Sequence, residues 1–154
     1  MSETAVIHGS CIAVDGQGVL LLGAPGAGKS DLVLRFLDHQ GSGTSGRPRS
    51  AYLVGDDQVV IQRDGEMLVA SAPSSLAGKL EVRGLGIVSA PAVSHAPLVL
   101  AVRLTFAAEI ERLPDLTQSR FDILGLTVPL ILIDPEKASA PARIRAALDL
   151  LGPG

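Results

Sequence analysis

Apolar residues along the chain fall into short runs of strand length, broken by glycine and proline, with helical spacing in only a few places. Residues 5–15 (AVIHGSCIAVD) are rich in Ile and Val and predict an extended segment. Asp15-Gly16-Gln17-Gly18 predicts a turn, and residues 18–22 (GVLLL) a short buried strand. A glycine-rich stretch follows at 23–28. From 29 to 40, Leu32, Val33, Phe36 and Leu37 recur at helical spacing with charges between them. The order is strand, glycine-rich loop, helix.

Residues 41–50 (GSGTSGRPRS) are small, polar and without period, which predicts a flexible loop, the most disordered part of the chain. Residues 51–54 resume as a strand that stops at Gly55-Asp56-Asp57. Residues 59–61 and 67–70 flank Asp64-Gly65, a hairpin signal. Residues 74–79 predict a helical turn leading into 80–89 (LEVRGLGIVS), and 98–104 and 126–133 predict strands. Between these, 106–113 reads as helix and 114–122 as loop. The closing helix, about 139–151, has Ser139 as N-cap, Pro141 in its first turn, and Ile144, Leu148 and Leu151 on one face. There is no internal repeat. Strands outnumber helices, so the fold class is α/β, with a mixed sheet flanked by helices rather than a simple alternating βαβ array.

Composition narrows the function. The 154 residues suit one domain, 1–154, and 47% apolar with 19% charged residues excludes a disordered chain. The longest near-apolar run, 123–133, is broken by Gly125 and Pro129, whereas a membrane-spanning helix needs about 20 residues. The N-terminus lacks a basic region followed by an apolar one, so no signal peptide is expected. Cys11 stands alone, which excludes an internal disulfide and fits a reducing compartment. Thirteen basic against sixteen acidic side chains and 3% aromatic residues give no footprint for nucleic acid. A soluble cytoplasmic domain is expected.

Gly23-Ala24-Pro25-Gly26-Ala27-Gly28-Lys29-Ser30 satisfies G-x-x-x-x-G-K-[ST], the Walker A pattern. Glycines let backbone N–H groups converge on phosphate oxygens, and the following helix N-terminus adds partial positive charge. In this pattern the lysine bridges the β- and γ-phosphates and the hydroxyl ligates Mg²⁺. An ordinary glycine-rich turn is the alternative. The four fixed positions match by chance in roughly half a per cent of chains this long, and the strand before and helix after supply the right context. The chain is read as nucleotide-binding.

Two apolar runs end in acid, as a second metal-holding element would: Leu53-Val54-Gly55-Asp56-Asp57 and Leu130-Ile131-Leu132-Ile133-Asp134. Adjacent carboxylates can divide metal or water binding from proton transfer, though a solvated turn explains Asp56-Asp57 equally well. Asp134 before Pro135 also suits a cap or turn. His8 is one of three histidines, with His39 and His95, and has no neighbouring metal-ligand pattern. Leu80-Glu81-Val82-Arg83-Gly84-Leu85-Gly86 puts Glu81 and Arg83 on one face of a strand running into two glycines. An edge strand entering a turn would look the same.

Taken in order, His8-Gly9, the phosphate loop, Asp56-Asp57 and Leu80-Glu81-Val82-Arg83-Gly84-Leu85-Gly86-Ile87 resemble the catalytic domain of the HPr kinase/phosphorylase family, over residues 5–134. The last segment, E-[IV]-R-G-L-G-I, is the distinctive one. The resemblance implies a P-loop fold of the kind shared with phosphoenolpyruvate carboxykinase. It implies ATP and Mg²⁺ as cofactors and an HPr-type phosphocarrier protein as partner, phosphorylated on serine. By the same resemblance Lys29 contacts the phosphates, Ser30 and Glu81 ligate Mg²⁺, and Asp56 is the proton acceptor with Asp57 beside it on the metal side. His8 lies near that aspartate, and Arg112 stabilises the transferred charge. A homo-oligomer, the family hexamer, is expected.

Three departures bear on this reading. The family's separate N-terminal domain is not in this sequence. Pro25 stands where the phosphate loop usually has serine, and Asp134-Pro135-Glu136-Lys137-Ala138 replaces a Pro- and Arg-rich loop used in dephosphorylation. The expectation is an HPr serine kinase with weak or absent phosphorylase activity. The alternatives are a P-loop kinase acting on a small molecule and a nucleotide-dependent regulatory binding module. A GTPase is disfavoured, because no Asn-Lys-x-Asp segment occurs.

Overall fold

The extended segment predicted at 5–15 divides at Gly9 into β1 (Glu3–His8) and β2 (Ser10–Val14), which go to different parts of one sheet. A Cβ at Gly9 would lie 2.7 Å from the Leu21 carbonyl oxygen, so only glycine allows the chain to cross there. The structure, a computed structural model, describes residues 3–151. β2 turns through Asp15-Gly16, both with positive φ (51° and 76°), into β3 (Gln17–Leu22). Two residues of that kind form the turn whose twist matches paired strands.

Nine strands make a mixed sheet. Along its main path β1 pairs with β5 (Gln58–Asp64), then come β6 (Met67–Ser71), β9 (His95–Leu104), β3, β2 and β4 (Ala51–Gly55). β9 is long enough to serve three partners. Its first residues pair antiparallel with β6, Leu98–Arg103 run parallel to β3, and Ala101–Leu104 run parallel to β11 (Leu126–Ile133). β11 also pairs with β10 (Arg120–Ile123). β7 (Lys79–Val82) and β8 (Gly86–Ser89) form a separate two-stranded hairpin.

Alternation along β2 and β3 feeds two cores. Ile12, Val14, Val19 and Leu21 pack with Leu32, Val33 and Phe36 of α1 (Lys29–Asp38) and Ile144 and Leu148 of α2 (Ala140–Leu151). Cys11, Ala13, Leu20 and Leu22 point the other way, where no helix packs against them among the described residues. There the sheet curls so that Val59, Ile61, Leu68 and Ala70 close the second core. Burial pushes the Cys11 thiol up to about 12, which removes it from nucleophilic chemistry.

Several expectations change. The 41–50 segment is tied down: Arg49 is buried, pairs with Asp149 of α2, and its carbonyl accepts from Arg145, which stacks on Phe36 at 4.7 Å. Small residues permit this, since Gly41 and Gly43 lie against the Arg145 side chain. The helix expected at 106–113 reduces to one 3₁₀ turn, Ala107–Glu109, and the loop expected at 114–122 contains the start of β10. Short apolar runs near proline do not sustain a helix without a face to bury. The hairpin around Asp64-Gly65 turns one residue later, through Gly65-Glu66, because Asp64 pairs with Met67.

Candidate functional site

The phosphate loop joins β3 to α1. Gly26 and Gly28 have φ of 81° and 103°, a region that side chains resist, and Gly28 is the N-cap of α1. The loop is closed by Lys29, whose Nζ donates to the carbonyls of Gly23 (2.8 Å) and Ala24 (3.0 Å). Burial lowers the Lys29 pKa from its ordinary 10.5, against the raising influence of Asp57 and then Asp56. Arg35, on α1, donates to the carbonyls of Pro135 and Lys137 and so fixes the 134–137 turn beside the loop.

Asp56 and Asp57 occupy the tight turn from β4 to β5, where one is buried and the other is open to the cleft. Asp56 is 7% exposed and its carboxylate is filled by protein donors. The Ser10 and Ser30 hydroxyls each donate to Oδ1 at 2.8 Å, and the Glu81 N–H donates to Oδ2 at 3.2 Å. Asp57 takes a left-handed conformation, φ 68°, which Asp tolerates better than most residues, and its carbonyl accepts from the Gly9 N–H at 3.0 Å. Its side chain is open to the cleft, with Oδ1 3.5 Å from His8 Nδ1. The sheet explains that pairing: His8, last in β1, is in register with Gln58, the residue after Asp57.

A cleft of about 760 Å³ runs between the phosphate loop and the β7–β8 hairpin. His8, Pro25, Lys29, Ser30, Asp57 and Glu81 line it, which gathers nearly all the residues singled out in the sequence. Glu81 and Arg83 do not share a strand face as expected. β7 ends at Val82, and Arg83 enters the cleft from the turn through Gly84. Asp134 stays outside the cleft lining, with its oxygens accepting from the N–H groups of Ala107 (3.0 Å) and Glu136 (2.9 Å), as a turn aspartate does. Arg112 also stays outside that lining. Its segment lies along β11 and borders a second groove of about 430 Å³ with Glu111, Leu116 and Leu132.

Ser10 is the residue that sequence reasoning missed. One hydroxyl heading the otherwise apolar β2 was the available signal, because a buried hydroxyl needs a partner.

The donor set fits a phosphate-bound divalent cation. Ser30 supplies a hydroxyl, Glu81 a carboxylate, and Lys29 a neighbouring cation. No group of three or more His, Cys, Asp or Glu side chains is arranged to hold a metal alone among the described residues. Mg²⁺ in phosphoryl-transfer sites characteristically uses one or two carboxylates and completes its shell with phosphate oxygens and water.

A family model for the HPr serine kinase C-terminal domain matches residues 1–147. The chain belongs to this family. HPr kinase/phosphorylases of Bacillus licheniformis and Bacillus pumilus are 34% and 35% identical to it over 148 residues, 93% of this chain and 44% of each relative. The chain therefore spans less than half the length of these curated relatives. The solved Hpr(Ser) kinase/phosphatase of Coxiella burnetii aligns with TM-score 0.75 at 24% identity, covering 95% of both chains, a likeness of fold. In this HPr kinase C-terminal domain-family chain, the glycine-rich loop, the aspartate turn and the β7–β8 hairpin meet at the one cleft described above. No helix among the described residues is long and apolar enough to cross a membrane.

Proposed function

We propose that this chain is an ATP- and Mg²⁺-dependent kinase that phosphorylates a serine of an HPr-type phosphocarrier protein. The observation that carries the reading is the convergence of Lys29, Ser30, Asp57, Glu81 and His8 on one cleft. Lys29 leaves its loop carbonyls to hold phosphate oxygens, and Ser30 and Glu81 hold the cation. Mg²⁺ supplies neutralisation of charge on the transferred phosphate.

The two aspartates exchange the roles that the resemblance implies. A proton acceptor must reach the substrate hydroxyl, and Asp57 is exposed while Asp56 is buried under three donors. Asp57, oriented by His8, takes the serine proton as that oxygen bonds to the γ-phosphorus and the bridge to ADP breaks. Asp56 acts behind Ser30. With Arg112 outside the cleft lining, Arg83 is the arginine disposed to meet phosphate charge.

A protein acceptor is favoured over a small molecule by the outer face of the hairpin. Leu85 is 77% exposed and Ile87, in register with Glu81, 65% exposed. Apolar side chains at the rim serve a partner that covers them, whereas a small substrate is held inside its pocket. The test is incubation with labelled ATP and Mg²⁺ in the presence of purified HPr or of a panel of small metabolites. Label is expected in HPr. Label in a metabolite alone selects the alternative reading.

A further inference from the structure

We infer that Ser10 is a positioning residue for the cation site, acting on Ser30 through Asp56. This rests on reading the cleft as a Mg²⁺-nucleotide site. Ser10 is fully buried, and its hydroxyl donates across 46 residues of sequence to Asp56 Oδ1 at 2.8 Å, not to local backbone. The same oxygen receives the Ser30 hydroxyl, also at 2.8 Å. A serine hydroxyl has one proton and two lone pairs. Once the Ser30 proton is committed to Asp56, its lone pairs are left for a cation. The precision of that aim depends on how firmly Asp56 Oδ1 is held.

Two contacts besides Ser30 hold the carboxylate: the Glu81 N–H on Oδ2 and Ser10 on Oδ1. Ser10 is the one on the oxygen that Ser30 uses. It is mounted on the main sheet, as the first residue of β2, in register with Leu21 of β3. Removing its hydroxyl leaves Oδ1 steered by Ser30 alone, so the group to be aimed would then be the only one aiming the carboxylate oxygen. Hydrogen bonds to charged groups are strong enough for the loss to be felt at the site.

The experiment follows binding of a fluorescent ATP analogue across a series of Mg²⁺ concentrations. Ser10→Ala should raise the Mg²⁺ concentration for half-maximal binding by about 10-fold, with affinity in EDTA unchanged. Ser10→Cys, similar in size but a weak donor, should behave like Ala, and Ser10→Thr should restore most of the wild-type response. In an Asp56→Asn background, where the acceptor is neutral and weaker, the Ser10→Ala effect should shrink below about 3-fold. A wild-type Mg²⁺ response in Ser10→Ala and Ser10→Cys overturns the inference, as does an equal effect in both backgrounds. Failure of wild-type protein to bind the analogue at any Mg²⁺ concentration overturns the site reading itself.

Discussion

His8 Nδ1 stands 3.5 Å from Asp57 Oδ1, although the two residues are 49 positions apart and reach each other only because β1 pairs with β5. The contact separates the two members of the aspartate pair. Asp57 has a histidine and open cleft; Asp56 has two serines and a backbone N–H. Neighbours in sequence are therefore different chemical groups in the fold.

Asp57→Asn should lower turnover by about 10²- to 10⁴-fold, the range for removing a general base, with nucleotide affinity within about threefold of wild type. Asp56→Asn should instead weaken Mg²⁺-dependent nucleotide binding and cost about 1–3 kcal/mol of stability, because an amide nitrogen facing the Glu81 N–H offers no acceptor. Turnover, binding and urea unfolding of the two variants make the comparison. The reverse pattern returns the base to Asp56.

Lys29→Ala should reduce phosphoryl transfer at least 10³-fold, about 4 kcal/mol of transition-state stabilisation. Burial lowers the Lys29 pKa, so with rising pH it loses its proton earlier than an ordinary lysine. The kcat/KM profile, which reports the free enzyme, should turn down on the alkaline side below 10.5, and an alkaline limb at or above that pH contradicts it.

Much of this site was legible in the sequence, for a physical reason. Gly26, Gly28, Lys29 and Ser30 work through local backbone conformation, which residue type dictates directly. Asp56-Asp57 and Glu81 were legible as motifs, but their division of labour was not. It depends on φ 68° at Asp57 and on donors 25 to 46 residues away. The place of Arg112 outside the cleft lining was not legible, because the helix expected at 106–113 shrinks to one 3₁₀ turn. The anchoring of 41–50 was hidden as well, since Gly-Ser-Thr composition reads as loose while its order comes from Arg145 and Asp149 about 100 residues on.

That anchoring has a measurable weight. Asp149→Ala leaves the buried Arg49 guanidinium with Asp15 at 3.7 Å as its remaining carboxylate. Removing one partner of a buried pair is strongly destabilising, and partial exposure of Asp149 reduces the cost to about 1–3 kcal/mol. Urea unfolding should show a lower midpoint with an unchanged slope. No change in midpoint would mean that the loop contributes nothing to the fold.

Pro25 lines the cleft within the glycine-rich loop, and it offers neither a backbone N–H nor a hydroxyl. Free phosphate depends on loop donors more than ATP does, since ATP also binds through its β-phosphate and nucleoside. Pro25→Ser should therefore improve phosphate-dependent release of pyrophosphate from seryl-phosphorylated HPr by 10-fold or more, about 1.5–3 kcal/mol per regained hydrogen bond, and the forward rate by less. Pyrophosphate yield against phosphate concentration measures it. Efficient release by the wild type at low-millimolar phosphate would show that Pro25 costs nothing.

Phosphosite mapping of HPr after reaction with the purified chain and Mg²⁺-ATP decides whether phosphate passes from ATP to a serine of HPr. One acid-stable phosphate on a serine is expected, absent with Lys29→Ala and nearly absent with Asp57→Asn. Unmodified HPr after prolonged incubation with nucleotide-binding wild-type protein, or acid-labile phosphate on histidine, would contradict that transfer.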